Sequence, residues 1–385
     1  MKSTALRIAL VLILFFSIVT ASFSQGQLNV VTSAVPFLRI SPDARAGSMG
    51  DLSLATDADA SSAYFNLGKV PFNTSIGGVN LTYTPWLKKI VNDVYLASLA
   101  GYYKVDENSA VSASFRYFSL GNIDLTDAFG NPLKSVNPKE YGVDLGYSRK
   151  LSDKLGLGIG LKYIYSNLAQ GISGYKAGNS VAGDIGLYYN GHDEAGQGWA
   201  FGAAMSNLGA KIGYSNNANE KDFIPANLGL GTTYTAVFDE SNKLSFGVDI
   251  NKLLVPTPPQ FSDPPTHQDT VNLENYRKKA VVSSWFSSFG DAPGGFSEEL
   301  KEFQISTGLE YTYNNQFALR AGYFYENKYK GNRRYFTTGV GIKYNVFELN
   351  FSYLVPSGSG VSQNPLSNTL RFSLVFNFDN TVSEQ

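Results

Sequence analysis

One pattern limits this chain more than any other: segments of about ten residues alternate with period two between an apolar, aromatic parity and a parity of glycine, serine and charge. In 155–165, Leu155, Leu157, Ile159, Leu161, Tyr163 and Tyr165 share one face, and Gly156, Gly158, Gly160 and Lys162 share the other. In 141–148, Tyr141, Val143, Leu145 and Tyr147 oppose Gly142, Asp144, Gly146 and Ser148. In 303–313, Phe303, Ile305, Leu309, Tyr311 and Tyr313 oppose Gln304, Ser306, Gly308 and Glu310. The last segment sets Leu370, Phe372, Leu374, Phe376 and Phe378 against Arg371, Ser373 and Asn377. Successive side chains of a strand point to opposite faces, so each segment reads as a strand with one greasy face. A soluble sandwich alternates too, but three features favour a membrane barrel. The greasy face is tipped by Tyr, Phe or Trp, as an interfacial girdle requires. The other face carries isolated charges; Lys or Arg at the lipid midplane costs about 2–4 kcal/mol, so that face must point inward. The segments also have roughly the 9–11 residues that a tilted strand needs to cross a bilayer.

Fourteen such segments are expected, near 76–85, 93–104, 109–120, 139–149, 155–167, 181–190, 198–208, 226–238, 243–252, 302–313, 316–326, 334–344, 346–355 and 368–378. An even count suits an all-β, antiparallel transmembrane barrel. The connections alternate between short turns, as at 106–108 and 314–315, and longer loops at 121–138, 168–180, 209–225, 253–301 and 356–368. Composition agrees: aromatics are 14% of the chain and charged residues 16%. Lys+Arg 31 against Asp+Glu 32 argues against a nucleic-acid partner. The absence of Cys excludes thiolate catalysis and Cys-ligated zinc.

The first 24 residues read as a secretory signal peptide. Lys2 and Arg7 precede the apolar run Ile8–Val19, small residues follow at Ala21, Ser22 and Ser24, and cleavage is predicted before Gln25. Residues 25–75 read as a plug, or hatch, for the lumen of a 76–378 barrel, and 379–385 as a short periplasmic tail. Small residues and turn signals between 35 and 72 favour close packing inside a narrow lumen. Asp43, Arg45, Asp51 and Asn66 are its candidate hatch residues. The lumen-facing charges Arg116, Asp144, Lys162, Asp184, Asp249, Glu310, Arg320, Glu348 and Arg371 mark either a permeation path or, the favoured reading, paired charges that brace that plug. The long loop 253–301 leaves its strand stiffly through Pro256, Pro258 and Pro259, and Ser297 is a candidate cap for a short helix through Glu298 and Glu299. Loops so long without regular structure are usually functional or disordered. Its Trp285, Phe286, Phe289 and Phe296 are candidate partner anchors, with folding of the loop onto the rim as the alternative.

Catalysis is not expected, nor any metal or cofactor. The two His, His192 and His267, are far apart and neither lies on a strand beside a candidate Ser. Gly156, Gly158 and Gly160 alternate within one strand with no following helix, which excludes a phosphate cradle.

The stretch Ala44-Arg45-Ala46-Gly47-Ser48-Met49-Gly50, with Asp59-Ala60-Ser61-Ser62-Ala63-Tyr64-Phe65-Asn66, resembles the N-terminal hatch of FadL-like barrels. Asn66 is followed here by Leu67, where that hatch usually has proline. More closely, the chain resembles the PorV-like family of outer-membrane barrels of the Bacteroidetes type IX secretion system. The resemblance is carried by Ile40–Gly47, Asp249–Pro259, Asp291–Leu300, Arg320–Glu326 with Lys330–Arg333, and Pro365–Phe372. It implies fourteen strands, a plugged lumen and a place in the outer membrane. It also implies a shuttle that takes cargo with a C-terminal secretion domain from a giant translocon barrel (SprA/Sov-like) to a surface attachment complex with a PorU-like sortase. The wider FadL-like family implies a second class of function, transport of hydrophobic small molecules through the lumen.

Overall fold

A computed structural model describes residues 29–86, 91–127, 129–168, 172–217, 220–356 and 369–378. The expected signal peptide and C-terminal tail lie outside these residues, as does most of the 356–368 loop. Eighteen strands are described. They are β1 (Gly77–Pro85), β2 (Val94–Lys104), β3 (Ser109–Leu120), β4 (Ile123–Thr126), β5 (Pro132–Val136), β6 (Lys139–Lys150), β7 (Leu155–Asn167), β8 (Gly178–Asn190) and β9 (Gly198–Gly209). Then come β10 (Ile212–Gly213), β11 (Lys221–Asp222), β12 (Asn227–Val237), β13 (Asn242–Leu253), β14 (Gln304–Tyr313), β15 (Phe317–Tyr325), β16 (Arg334–Tyr344), β17 (Phe347–Pro356) and β18 (Leu370–Phe378). Fourteen of them form one closed antiparallel barrel, in which β1 pairs with both β2 and β18. The other four make two small ribbons, β4–β5 and β10–β11, in loops at the long-loop end.

The wall is inside out relative to a soluble protein. Leu161 is 69% exposed, and its neighbour Lys162 is 2% exposed. Apolar side chains such as Leu81, Leu145, Ile159 and Leu319 face outward, while Asn80, Ser114, Arg116 and Glu310 are buried inside. Water does not reward such a surface; a hydrocarbon slab does. Aromatic belts mark both rims. At the long-loop end, ring contacts run from Tyr83 to Tyr95, Tyr117, Phe115, Tyr141 and Tyr165. At the short-turn end, Trp199 contacts Phe201 and Tyr234. Among the described residues no helix is long and apolar enough to span a membrane.

The segment before β1 lies within the barrel, because its residues meet the inner wall on every side. Helix α1 (Ala44–Ser48) packs on β15, β16, β17 and β18. Helix α2 (Ser62–Phe65) packs on β2 and β3, and the 3-10 turn Leu67–Phe72 on β3, β6, β7 and β8. Leu54 lies against Gly202, Gly229 and Gly231 on β9 and β12. The wall glycines therefore have a purpose: a Cβ at Gly202 would overlap the Leu54 carbonyl, and one at Gly322 would overlap Met49. Gly50 in turn has φ +69 and lies against the Tyr323 backbone, so a side chain there is excluded on both counts.

Two expectations need correction. The loop between β13 and β14 is regular over much of its length, with α3 (His267–Lys278), α4 (Val281–Ser287) and α5 (Phe296–Glu299). The N-cap of α5 is Gly295, not Ser297. The inner wall, mostly glycine, serine and charge, has one apolar part as well. At the long-loop end Leu96, Phe118 and Ile164 form an apolar inner patch, covered by Val35, Phe37 and Leu38 of the plug and by Trp86, Ile212 and Ile224.

Candidate functional site

Two structures set what this barrel can do: the pinned plug and the long loop above it. The plug is held by charge. Asp43 caps α1 by accepting from the Ala46 amide (2.9 Å), and its other oxygen accepts from Asn80 of β1 (3.0 Å). The Arg45 guanidinium bridges Glu310 of β14 (2.7 Å) and Asp59 of the plug (2.8 Å). Glu310 also pairs with Arg320 of β15, which donates to Asn350 (2.7 Å). Asp249 of β13 accepts from the amides of Ser53 (2.7 Å) and Leu54 (2.9 Å). Asp51 accepts from the Tyr335 hydroxyl (2.6 Å), and Arg371 lies 3.9 Å from it. Arg371 crosses the face of Gly47, where a Cβ would sit 2.6 Å from its Nη1.

Asn66 stands where the hatch motif turns, and it works on three sides. Its Oδ1 accepts from the Gly68 amide (3.0 Å), and its Nδ2 donates to the carbonyls of Leu54 (2.9 Å) and Leu187 (2.8 Å). Leu67 follows it directly into the 3-10 turn, so proline is not needed there. Arg116 donates to the Leu38 carbonyl (3.0 Å). Asp144 belongs to a wall cluster instead: buried Lys162 pairs with Asp144 (3.1 Å) and Asp184 (3.0 Å). Lys69 was not singled out by sequence, yet its buried ammonium donates to the Ser53 carbonyl (2.8 Å) and to Thr56 (3.0 Å).

The long loop is bolted to the rim by buried ions. Lys252, at the end of β13, pairs with Glu302 (2.6 Å) and Glu299 (3.1 Å). Lys330, between β15 and β16, pairs with Glu298 (2.6 Å) and Glu302 (3.0 Å). Burial acts to raise the Glu298 carboxyl, but the hydrogen bond from Lys330, the one from the Gly294 amide and the Lys330 charge outweigh it and hold the group below the usual carboxylate range. The Thr257 hydroxyl donates to Glu302 (3.1 Å), and its amide donates to Asp291 (3.2 Å). Helix α3 opens where Asp269 reaches back to the Thr266 amide (2.6 Å), and it docks through Tyr276 on Phe223.

Of the seven loop residues expected to meet a partner, Phe286 (74%) and Phe296 (77%) are the most exposed, and Phe289 is exposed as well. Trp285 is half-buried. Pro256 is buried, and Pro258 and Pro259 are half-buried. The loop thus presents phenylalanines to solvent from a frame fixed beneath them.

The family model described as type IX secretion system protein PorV matches residues 23–260. Among solved structures, the TodX deltaS2S3 mutant monoaromatic hydrocarbon channel is 14% identical, with 87% of this chain and 98% of that chain covered at TM-score 0.50. The CymD monoaromatic hydrocarbon channel is 11% identical, with coverage of 93% and 99% at TM-score 0.50. A Pseudomonas aeruginosa FadL homologue is 11% identical, with coverage of 91% and 99% at TM-score 0.44. At these identities the likeness to the TodX and CymD channels concerns the fold alone. No curated protein matches the chain.

Proposed function

Because the chain belongs to the family of type IX secretion system protein PorV, we propose that it is a non-catalytic outer-membrane barrel that shuttles cargo. It binds the C-terminal signal domain of exported proteins at the translocon barrel and carries them to the sortase-bearing attachment complex at the cell surface. On this reading the long loops face outward and the short turns face the periplasm of a Gram-negative bacterium of the Bacteroidetes type. The observation that carries the reading is the bolted loop. Phe296 stands exposed on α5, which Lys252 and Lys330 fix through Glu299 and Glu298, and Phe286 on α4 and Phe289 just after it are exposed as well, so a partner that docks there meets preformed anchors.

The second reading is a transporter of hydrophobic small molecules, the activity named for the TodX and CymD channels. It calls for a greasy internal site. The apolar patch Leu96, Phe118 and Ile164 has that character, but Val35, Phe37 and Leu38 of the chain itself occupy it. In cells lacking the protein, exported cargo with C-terminal signal domains should fail to reach the surface and accumulate in the periplasm, while uptake of a labelled fatty acid stays normal. Normal surface delivery of the cargo would overturn the shuttle reading.

A further inference from the structure

The described part of the plug begins among the loops at the long-loop end. The Asn29 amide donates to the Tyr329 carbonyl (3.3 Å), and its Nδ2 donates to Glu298 of the long loop (3.3 Å). Val31 is buried in one apolar cluster with Leu253 and Val255 where that loop begins, with Tyr276 of α3, and with Phe223 just after β11. The Ala34 amide donates to the Phe223 carbonyl (2.8 Å). Residues 29–34 are thus tied to the long loop and to its neighbours.

A few residues later the same segment belongs to the lumen. Phe37 stacks on Phe118 of β3, with 6.5 Å between ring centres, and Val35, Phe37 and Leu38 cover the apolar inner patch. Arg39 ends the 3-10 turn Pro36–Arg39 and pairs with Glu326 (3.3 Å). Between the two halves the backbone is strained. Val35 has φ +48 and ψ 53, in the left-handed region, where a β-branched residue is an outlier. Such a conformation persists only where its surroundings hold it in place. Here the Ala34 hydrogen bond holds one side. On the other, the Leu38 amide donates to the Val35 carbonyl (3.2 Å), and the Val35 side chain is wholly buried.

We propose that residues 29–39 are a strap that couples the long loop to the plug. While α3 holds Val31, the strained turn at Val35 keeps Phe37 and Leu38 on the inner patch. A partner that draws α3 from its seat frees residues 29–34, the strain at Val35 relaxes, and the cover of the patch lifts. Coupling of this kind is reciprocal, so unseating the strap also loosens α3. It does not depend on the shuttle reading or on which partner moves the loop.

The test is hydrogen exchange, read by mass spectrometry, on the full chain in detergent. Tyr276→Ala changes the loop side alone. Exchange in 37–40, beyond the strained turn, should rise about tenfold or more, the factor for opening made easier by roughly 1.4 kcal/mol. The barrel strands should exchange as in the wild type. Val31→Asp changes the strap alone, and exchange in 267–287 should rise with it. Should Val31→Asp fail to fold, Val31→Ala gives the same comparison with a smaller rise. The proposal is overturned if Tyr276→Ala leaves 37–40 protected, whatever it does to 29–34, or if the Val31 variant speeds exchange in the strap alone. A rise spread over the barrel strands overturns it as well, since general loosening needs no strap.

Discussion

Replacing residues 257–296 by a short turn should weaken capture of cargo by about 100-fold or more while the barrel still folds. The magnitude follows from the anchors. A buried aromatic at the centre of an interface commonly contributes 2 kcal/mol or more, and 100-fold in affinity corresponds to about 2.7 kcal/mol. Phe286, Phe289 and Phe296 all lie in the excised stretch and all are exposed. The barrel should survive because its fourteen strands close through β1 and β18, with no strand inside the loop. Heat-modifiable migration on a gel reports the fold, and pull-down of an isolated cargo signal domain reports the binding. A folded, truncated barrel that binds cargo with unchanged affinity would remove the loop from the account.

Glu310→Gln should loosen the plug by about 3–5 kcal/mol, because it leaves two buried guanidiniums facing one another without their shared carboxylate. Arg45 and Arg320 both pair with Glu310, on the plug and on the wall respectively. Arg45→Gln should cost less, since the pair between Glu310 and Arg320 remains. Limited proteolysis reads the difference: 43–59 should become cleavable in the folded Glu310→Gln barrel and stay protected in the wild type. Equal protection in the two would mean that packing against the wall glycines, not charge, holds the plug.

The fourteen wall strands were legible because lipid imposes period two on every one of them, and the structure keeps each within a few residues. Where the pattern thins, so did the reading. β8 starts at Gly178, ahead of its first apolar outward residue, Val181, because glycine, asparagine and serine carry no parity signal. Helix α3 was missed because its residues, His267–Lys278, are polar on nearly every face. Its one local signal was Thr266 followed three residues later by Asp269. The apolar inner patch was hidden for a different reason. Leu96, Phe118 and Ile164 share parity with Ser98, Arg116 and Lys162, so alternation marks the inward face but not which end of it is greasy.

The plug was visible in composition, as small residues and scattered charge before the first strand. Its pairings were not, because Arg45 and Glu310 are 265 residues apart in sequence. The bolts of the long loop were illegible for the same reason. Lys252, Lys330 and Glu302 meet only once β13, β14, β15 and β16 have paired.

The most direct test of the shuttle is gentle detergent purification of the tagged protein from its own outer membrane, with mass spectrometry of whatever is recovered with it. The account predicts a very large barrel protein together with exported proteins that share a C-terminal β-sandwich domain. Recovery of the barrel alone, with fatty acids in its lipid extract, would contradict it and favour a transporter.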